Sequence, residues 1–101
     1  MTSHFSALTE AEQERLAVLM EECAEAIQEG GKILRHGYDS NNNGKMLETN
    51  RERLAKELGH IVHAINMLTG SKDVNGATVG QAQRDKGKNI VPYLHHQEST
   101  S

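Results

Sequence analysis

A chain of 101 residues is long enough for one small domain, and its formal net charge of −3 gives no general basic surface for binding nucleic acid. Its single cysteine, Cys23, excludes an intramolecular disulfide, and no apolar run approaches the roughly 20 residues of a membrane-spanning helix. The stretch Met1 to Thr9 is short and polar, without the pattern of a signal peptide, so we expect a cytoplasmic protein that binds no membrane.

The first predicted helix begins at Thr9 and ends near residues 35–37. Thr9 and Glu12 form a capping box, in which each side chain accepts a hydrogen bond from the other residue's backbone N–H. Six apolar residues recur at helical spacing and predict a buried stripe: Leu16, Leu19, Met20, Cys23, Ile27 and Leu34. We expect Cys23 to behave as a small buried apolar residue. Gly30-Gly31 indicates either a kink or a close approach of another group to the helix backbone.

Residues 37–48 are dominated by Asn, Gly, Ser and Asp, which predicts a loop. A second helix follows, with Thr49 and Glu52 as its capping box and Gly70 as its C-terminal stop. Its apolar stripe consists of Leu54, Leu58, Ile61, Ile65 and Leu68. Antiparallel packing of the two stripes would bring together the acidic residues that border them.

The region after Gly70 has weaker helical patterning. Asp73 is a candidate cap for a third helix, whose glycines predict that it is short or irregular, and Pro92 interrupts any regular helix. This third helix would carry Val74, Val79 and Ala82. The apolar residues Ile90, Val91, Tyr93 and Leu94 would dock on the body or on a partner subunit, and residues 97–101 are predicted to be disordered.

These elements predict one all-α domain over residues 1–101, with a core over about 8–94 and a tail over 95–101. The domain is a helical bundle of two long antiparallel helices and a shorter C-terminal helix. The aromatic residues are only Phe5, Tyr38 and Tyr93, so the core is aliphatic. Because such a core is thin, we expect it to be completed by a homodimer or homotetramer.

Two short acidic clusters stand in the two long helices, Glu21-Glu22-x-x-Glu25 and Glu57-x-x-His60. The i, i+3 spacing places Glu22 with Glu25, and Glu57 with His60, on one face of each helix. Two such pairs facing each other would supply the oxygen ligands that Mg²⁺ or Mn²⁺ binds. A metal held there could bridge phosphate oxygens, and a spare glutamate could orient an attacking water. The alternative is a solvated acidic face, which is the more common outcome for this spacing alone.

His60 also belongs to the pattern E-x-x-H-x-x-H with Glu57 and His63. A neutral imidazole binds Mn²⁺, Zn²⁺ or Fe²⁺ but is a poor ligand for Mg²⁺. Steps of three residues drift about 60° backwards around a helix, so Glu57 and His63 point well apart. We therefore expect His63 at the surface or at an interface.

The positive charge of the chain is local. It stands at Lys32, Arg35 and His36, and again at Arg84, Lys86 and Lys88. Each cluster could contact a phosphate chain, or could be a solvated helix end, where cations are favoured.

The acidic patterns and their flanks resemble the MazG-like members of the all-α nucleoside triphosphate pyrophosphohydrolase superfamily, especially the short stand-alone forms of phages and bacteria. Glu21-Glu22-x-x-Glu25 matches the family's first motif in full, and Glu57 begins the second motif, E-x-x-D. The flanking stretches also look like this subgroup: 33–37, Asn50-Arg51 and 88–97. The resemblance covers roughly residues 8–97.

The resemblance implies hydrolysis of a nucleoside triphosphate to the monophosphate and pyrophosphate, with Mg²⁺ or Mn²⁺ as cofactor. It implies Glu22, Glu25 and Glu57 as metal ligands, with Glu21 as a further acid near the metal or the attacking water, so Glu21 and Glu22 are the catalytic candidates. His60 stands where the family has aspartate. The site could hold metal without that ligand, prefer Mn²⁺, or bind nucleotide and catalyse poorly.

Charge and placement nominate Lys32, Arg35, Lys86 and Lys88 as phosphate contacts, and Asn66 and Tyr38 as possible base contacts. Asn66 could instead be an interface residue, and Tyr38 a loop anchor. Three functions follow from these patterns: a metal-dependent pyrophosphohydrolase, a degenerate nucleotide- or metal-binding protein, and a structural helical module.

Overall fold

The computed structural model describes residues 7–97, and all its regular elements are helical. Helix α1 spans Glu10–His36, α2 spans Asn50–Gly70 and α3 spans Gly76–Asn89, with a 3-10 turn at Val91–Tyr93. Contacts of Glu22 with His60 and of Glu29 with Arg53 show that α1 and α2 pack antiparallel, so the predicted all-α architecture is confirmed. The predictions for residues 1–6 and 98–101 lie outside the described residues. Within residues 7–97, no helix is long and apolar enough to cross a membrane.

Both long helices begin at the predicted capping boxes. The Glu12 N–H donates to Thr9 Oγ1 at 3.1 Å, and the Thr9 N–H donates to Glu12 Oε1 at 2.9 Å. The same pair of bonds joins Thr49 and Glu52, at 3.2 and 3.1 Å. Each box satisfies N–H groups that the first turn of a helix leaves without an intrahelical partner. The boxes therefore fix where each long helix starts.

Most of the apolar stripe of α1 does not face α2. Four of its large side chains are exposed, Leu16 by 38%, Met20 by 69%, Ile27 by 76% and Leu34 by 89%, whereas Leu19 is half-buried. The face turned towards α2 lies roughly a third of a turn away and carries Glu22 and Glu29, which both contact α2. The prediction that the two apolar stripes pack on each other is therefore wrong for most of the α1 stripe.

The buried residues of the described part all belong to α2. Ala64 and Leu68 are its buried apolar residues, and Asn50 and Glu57 are its buried polar residues. Cys23 on α1 is only half-buried, so the prediction of a buried cysteine is wrong. The predicted stripe of α2 is rotated as well, since Glu57 lies at the centre of the packed face and not at its border.

The connection from α2 to α3 is fixed by an ion pair. Arg15 donates to Asp73 through Nε at 2.5 Å and through Nη2 at 2.9 Å. Asp73 thus binds α1, and Asn75 caps α3 in its place by accepting from the Thr78 N–H at 3.0 Å. The prediction of Asp73 as a cap is wrong. The helix that follows is a regular 14-residue α-helix that contains three glycines, so the predicted irregularity is not observed.

Two further predictions concern glycine and proline. Helix α1 is continuous through both glycines; nothing lies within 4 Å of a Cβ built on Gly30, and one on Gly31 would meet only Arg35 Nη1 of the same helix, at 3.5 Å, so no other described element packs closely there. Pro92 lies in the 3-10 turn, as expected of a residue that interrupts regular helix. Val91 and Tyr93 are exposed by 59% and 79%, so this segment does not dock on the body of the chain.

The loop between α1 and α2 folds back onto the start of α2. The N–H of Asn50 donates to Ser40 O and that of Arg51 donates to Tyr38 O, both at 2.8 Å. Asn42 and Asn43 have φ values of 59° and 55°, in the left-handed region that asparagine tolerates better than most residues. The Asn-rich composition is therefore used for a tight reversal that closes over the end of the helix pair.

Candidate functional site

The register of α1 against α2 determines which functional side chains meet. Glu22 contacts His60, and Glu29, seven residues further along α1, contacts Arg53, seven residues earlier on α2. Seven residues are about two helical turns. Glu25 and Glu57 lie between these two contacts along the helix pair and face each other. The antiparallel packing therefore brings the two acidic patterns together as expected.

Glu57 is the central group of this acidic cluster. It is only 7% exposed, and its Oε2 has no hydrogen-bond partner among the described residues. A hydrogen bond shared with the Glu22 carboxyl, burial, and a second such contact with Glu25 raise the pKa of Glu57 to about 7. A buried carboxyl facing two others gains little as a purely structural group, because its ionisation is opposed from both sides.

His60 lies at the solvent-facing side of the cluster. Its Nδ1 lies 3.2 Å from Glu22 Oε2 and 3.5 Å from Glu57 Oε2. One ligand atom from each of these three residues lies within 4.8 Å of the others. The imidazole is more than half exposed, whereas Glu22 and Glu57 are largely covered. The cluster is therefore open to solvent on the His60 side.

The donor set of this cluster fits a divalent cation. Glu57 Oε2 accepts no hydrogen bond within the described part of the chain, although His60 Nδ1 lies 3.5 Å away, and Glu22 and Glu25 add negative charge beside it. Carboxylate oxygens are preferred by Mg²⁺ and Mn²⁺, and an added imidazole shifts the preference towards Mn²⁺ or another transition metal. We therefore name Glu22, Glu57 and His60, whose ligand atoms approach one another, as the candidate metal centre, with Glu25 beside Glu57.

The other predicted acidic and histidine residues lie outside this centre. Glu21 is exposed, and it does not belong to the group of ligand atoms that approach one another. His63 is exposed, as predicted for a surface residue. The first acidic motif therefore contributes two of its three glutamates to the cluster.

A cavity of about 340 Å³ lies where α1, the loop and α2 meet. It is lined by Lys32, Arg35, His36, Ser40, Asn42, Asn43, Met46, Asn50 and Arg53. Lys32 and Arg35 are thus brought to one concave site, as candidate phosphate contacts require. The cavity carries three permanent cations, so it is strongly basic in a chain of net negative charge.

The remaining predicted contacts are not brought to either site. Lys86 and Lys88 lie exposed on the last turn of α3, which does not pack along the two long helices. Tyr38 lies under Arg51, whose guanidinium carbon is 4.5 Å from the ring centroid, so it serves as a loop anchor. Asn66 is exposed, and its carbonyl accepts a hydrogen bond from Thr69.

Sequence reasoning missed the role of three residues at this end of the helix pair, Glu29, Asn50 and Arg53. Arg53 donates to Glu29 through Nε at 3.4 Å, to the Glu48 carbonyl and to Asn50 Oδ1. Asn50 is 3% exposed, and its Nδ2 donates to Gly37 O at 3.0 Å. The signal was present in the spacing, since Glu29 follows Glu25 by four residues and Arg53 precedes Glu57 by four.

No family model matches this chain, and no curated protein or solved structure matches it at a significant level. The features that bear on function are therefore the side chains of the two sites and the motifs in the sequence.

Proposed function

We propose that this protein is a divalent-metal-dependent nucleoside triphosphate pyrophosphohydrolase, which converts a (d)NTP and water to the monophosphate and pyrophosphate and so cleans the nucleotide pool. The observation that carries the proposal is the buried Glu57 carboxyl, which faces Glu22 and Glu25 with one oxygen unpaired. The likeness of the two acidic motifs to those of MazG-like enzymes supports the same reaction, and the basic cavity next to the cluster suits an anionic substrate.

The residues of the cluster divide into two tasks. Glu25, Glu57 and His60 would hold the metal together with one oxygen of Glu22. A bound divalent metal neutralises phosphate charge and lowers the pKa of a coordinated water. The second oxygen of Glu22 accepts the proton of the attacking water. The water oxygen bonds to the α-phosphorus, the bond from that phosphorus to the bridging oxygen breaks, and pyrophosphate leaves with the electron pair.

The test is release of pyrophosphate from a panel of dNTPs and NTPs, with Mg²⁺ and separately with Mn²⁺. We expect turnover by the wild type that is lost in Glu22→Gln and Glu57→Gln, with helix content unchanged. Glu14→Gln serves as the matched control, since Glu14 is an exposed glutamate two turns earlier on α1. Absence of turnover with every substrate and both metals would refute the proposal.

A second candidate function is nucleotide or metal binding without catalysis. The contact of His60 Nδ1 with Glu22 Oε2 favours it, because the imidazole occupies a carboxylate oxygen that the metal would otherwise use. This candidate expects saturable nucleotide or metal binding by the wild type and no product. It also expects His60→Asp, which adds an oxygen ligand, to create or raise activity.

We also propose that two or more copies of the chain associate through the exposed stripe of α1. The stripe presents four large apolar side chains to solvent, whereas only Ala64 and Leu68 are buried apolar residues of the described part. Several large apolar side chains exposed along one face of a helix are typical of an interface. Light scattering after gel filtration tests this: the wild type should be a dimer or tetramer, and Ile27→Asp should be smaller. A monomeric wild type would refute it.

A further inference from the structure

The wall of the cavity at the end of the helix pair is positively charged. Lys32, Arg35 and Arg53 contribute three positive charges to its wall, and no lining residue is acidic. Glu29 is the one carboxylate that contacts these cations, at 3.4 Å from both Lys32 Nζ and Arg53 Nε. Within residues 7–97, Arg35 makes no ion pair. The protein's own groups therefore leave the cavity with a surplus of positive charge that an anionic ligand would neutralise.

Arg53 is held in place before any ligand arrives. Its guanidinium is bound by Glu29, by the Glu48 carbonyl and by Asn50 Oδ1, and its side chain is only 13% exposed. Asn50 is itself fixed, since it is buried and donates to Gly37 O. A guanidinium has five N–H donors, and the contacts account for three of them. The remaining donors form a pre-oriented group for phosphate oxygens, at little entropic cost.

The cavity and the acidic cluster lie on the same helix pair, one to two turns apart. Arg53 lies one turn from Glu57 on α2, about 6 Å of helix rise, and on the same helix face. Lys32 lies two turns beyond Glu25 on α1, about 10 Å of rise. A ligand with one phosphate at the acidic cluster would therefore extend its neighbouring phosphates towards the cations. This length suits a short polyphosphate chain.

The lining also argues against a nucleobase as occupant. Nucleobase pockets present apolar or aromatic surface to the flat faces of the ring, whereas Met46 is the one apolar residue lining this cavity. Arginine and lysine are the side chains that recognise phosphate, arginine by paired hydrogen bonds and lysine as a point charge. The chemistry of the wall therefore selects anionic oxygens.

We propose that this cavity binds the β- and γ-phosphates of the nucleoside triphosphate, and the pyrophosphate formed from them, through Lys32, Arg35 and Arg53. The assignment rests on the proposed function for the identity of the substrate. It places the leaving group at the loop end of the helix pair. The nucleoside must then extend from the acidic cluster towards the open side at His60.

The test is calorimetric titration of the full-length chain with inorganic pyrophosphate, in EDTA and at low ionic strength. We expect binding by the wild type that is weakened about tenfold or more by Lys32→Gln or Arg35→Gln, since each removes one charged hydrogen-bond donor. Lys72→Gln is the matched control, because Lys72 is exposed at the other end of α2, and it should change the affinity less than about twofold. Orthophosphate should bind at least about tenfold more weakly than pyrophosphate.

The outcomes separate this inference from the proposed function. Pyrophosphate binding that Arg35→Gln weakens, in a chain that hydrolyses no triphosphate, would support the cavity as a polyphosphate site and refute the enzyme. If the wild type turns over triphosphate but Lys32→Gln and Arg35→Gln leave both pyrophosphate affinity and KM unchanged, the cavity assignment is overturned and the proposed enzyme function is not. Equal affinity for orthophosphate and pyrophosphate would also overturn it, as would no binding of pyrophosphate. Circular dichroism of each variant checks that the helices remain intact.

Discussion

Metal binding at the acidic cluster should compete with a proton on Glu57. The pKa of Glu57 is raised from its ordinary 4.5 to about 7, because Glu22 and Glu25 face it and burial disfavours its charge. A carboxylate must lose its proton to bind a metal, so the apparent metal affinity depends on pH. The experiment therefore changes pH across this pKa and compares the metal affinity of the wild type with that of Glu57→Gln.

The size of the effect follows from the value of that pKa. For one competing proton, the apparent dissociation constant rises by a factor of one plus the ratio of proton concentration to the acid constant. A pKa of about 7 gives a factor of about 2 at pH 7 and about 11 at pH 6, but only about 1.1 at pH 8. We therefore expect the affinity for Mn²⁺ to fall about tenfold between pH 8 and pH 6.

The assay is titration with Mn²⁺ at pH 6, 7 and 8 at constant ionic strength. Glu57→Gln should bind Mn²⁺ more weakly at pH 8 and lose most of the pH dependence. His60→Asn is measured in parallel, because His60 is the other ligand candidate that contacts Glu57. Wild-type affinity that stays constant from pH 6 to pH 8, or a full pH dependence retained in Glu57→Gln, would refute the reasoning.

The same raised pKa sets the stability of the metal-free chain. Between about pH 4.5 and about 7 the folded state holds a proton on Glu57 that the unfolded state has released. The free energy of unfolding must therefore fall as pH rises through this range and level off above it. Glu57→Gln cannot ionise, so in EDTA its melting temperature relative to wild type should be higher at pH 8 than at pH 5. An unchanged difference would contradict the assignment of the buried proton.

Three further predictions concern the scaffold, each measured by thermal or urea unfolding. Leu68→Ala should destabilise the fold by about 2–5 kcal/mol, because Leu68 is the largest buried apolar side chain, whereas the exposed Leu47→Ala should cost little. Thr49→Ala should cost about 1 kcal/mol, because it removes the capping box of α2. The Arg15 guanidinium lowers the pKa of Asp73, so their ion pair should stabilise the fold above the ordinary pKa of aspartate. This stabilisation should be lost as pH falls through the lowered pKa. Asp73→Asn should remove that loss of stability at acid pH, and an unchanged dependence of stability on acid pH in the variant would count against the pair.

The sequence predicts the helices well because their signals are local. Thr9 with Glu12 and Thr49 with Glu52 mark both starts within four residues of chain, and each pair makes the expected bonds. The third helix was less predictable, because Asp73 could cap α3 locally but bonds to Arg15, 58 residues away. Long-range contacts of this kind decide between local options and leave no periodic signal in the sequence.

The rotation of α1 was the main error, and its physical reason bears on the site. A hydrophobic pattern indicates which residues avoid water, but not whether a second helix or another copy of the chain covers them. Here the face with Glu22 and Glu29 meets α2, whereas Ile27 and Leu34 remain exposed. The sequence could predict on which face of α2 Glu57 lies. It could not predict that Glu57 is buried, because the burial follows from the rotation of α1 against α2.

The placement of buried charge argues that the helix pair is arranged for a ligand and not for its own stability. A pair of helices optimised for stability would place its apolar stripes together and its acids in water. This chain does the reverse on α1, and it buries Glu57 between two carboxylates while a basic cavity lies one turn away. Such an arrangement is costly in the free chain and would be relieved by a cation at the acidic cluster together with phosphate oxygens at the basic cavity. A metal–polyphosphate complex would therefore complement both charge clusters at once, which neither component alone would do.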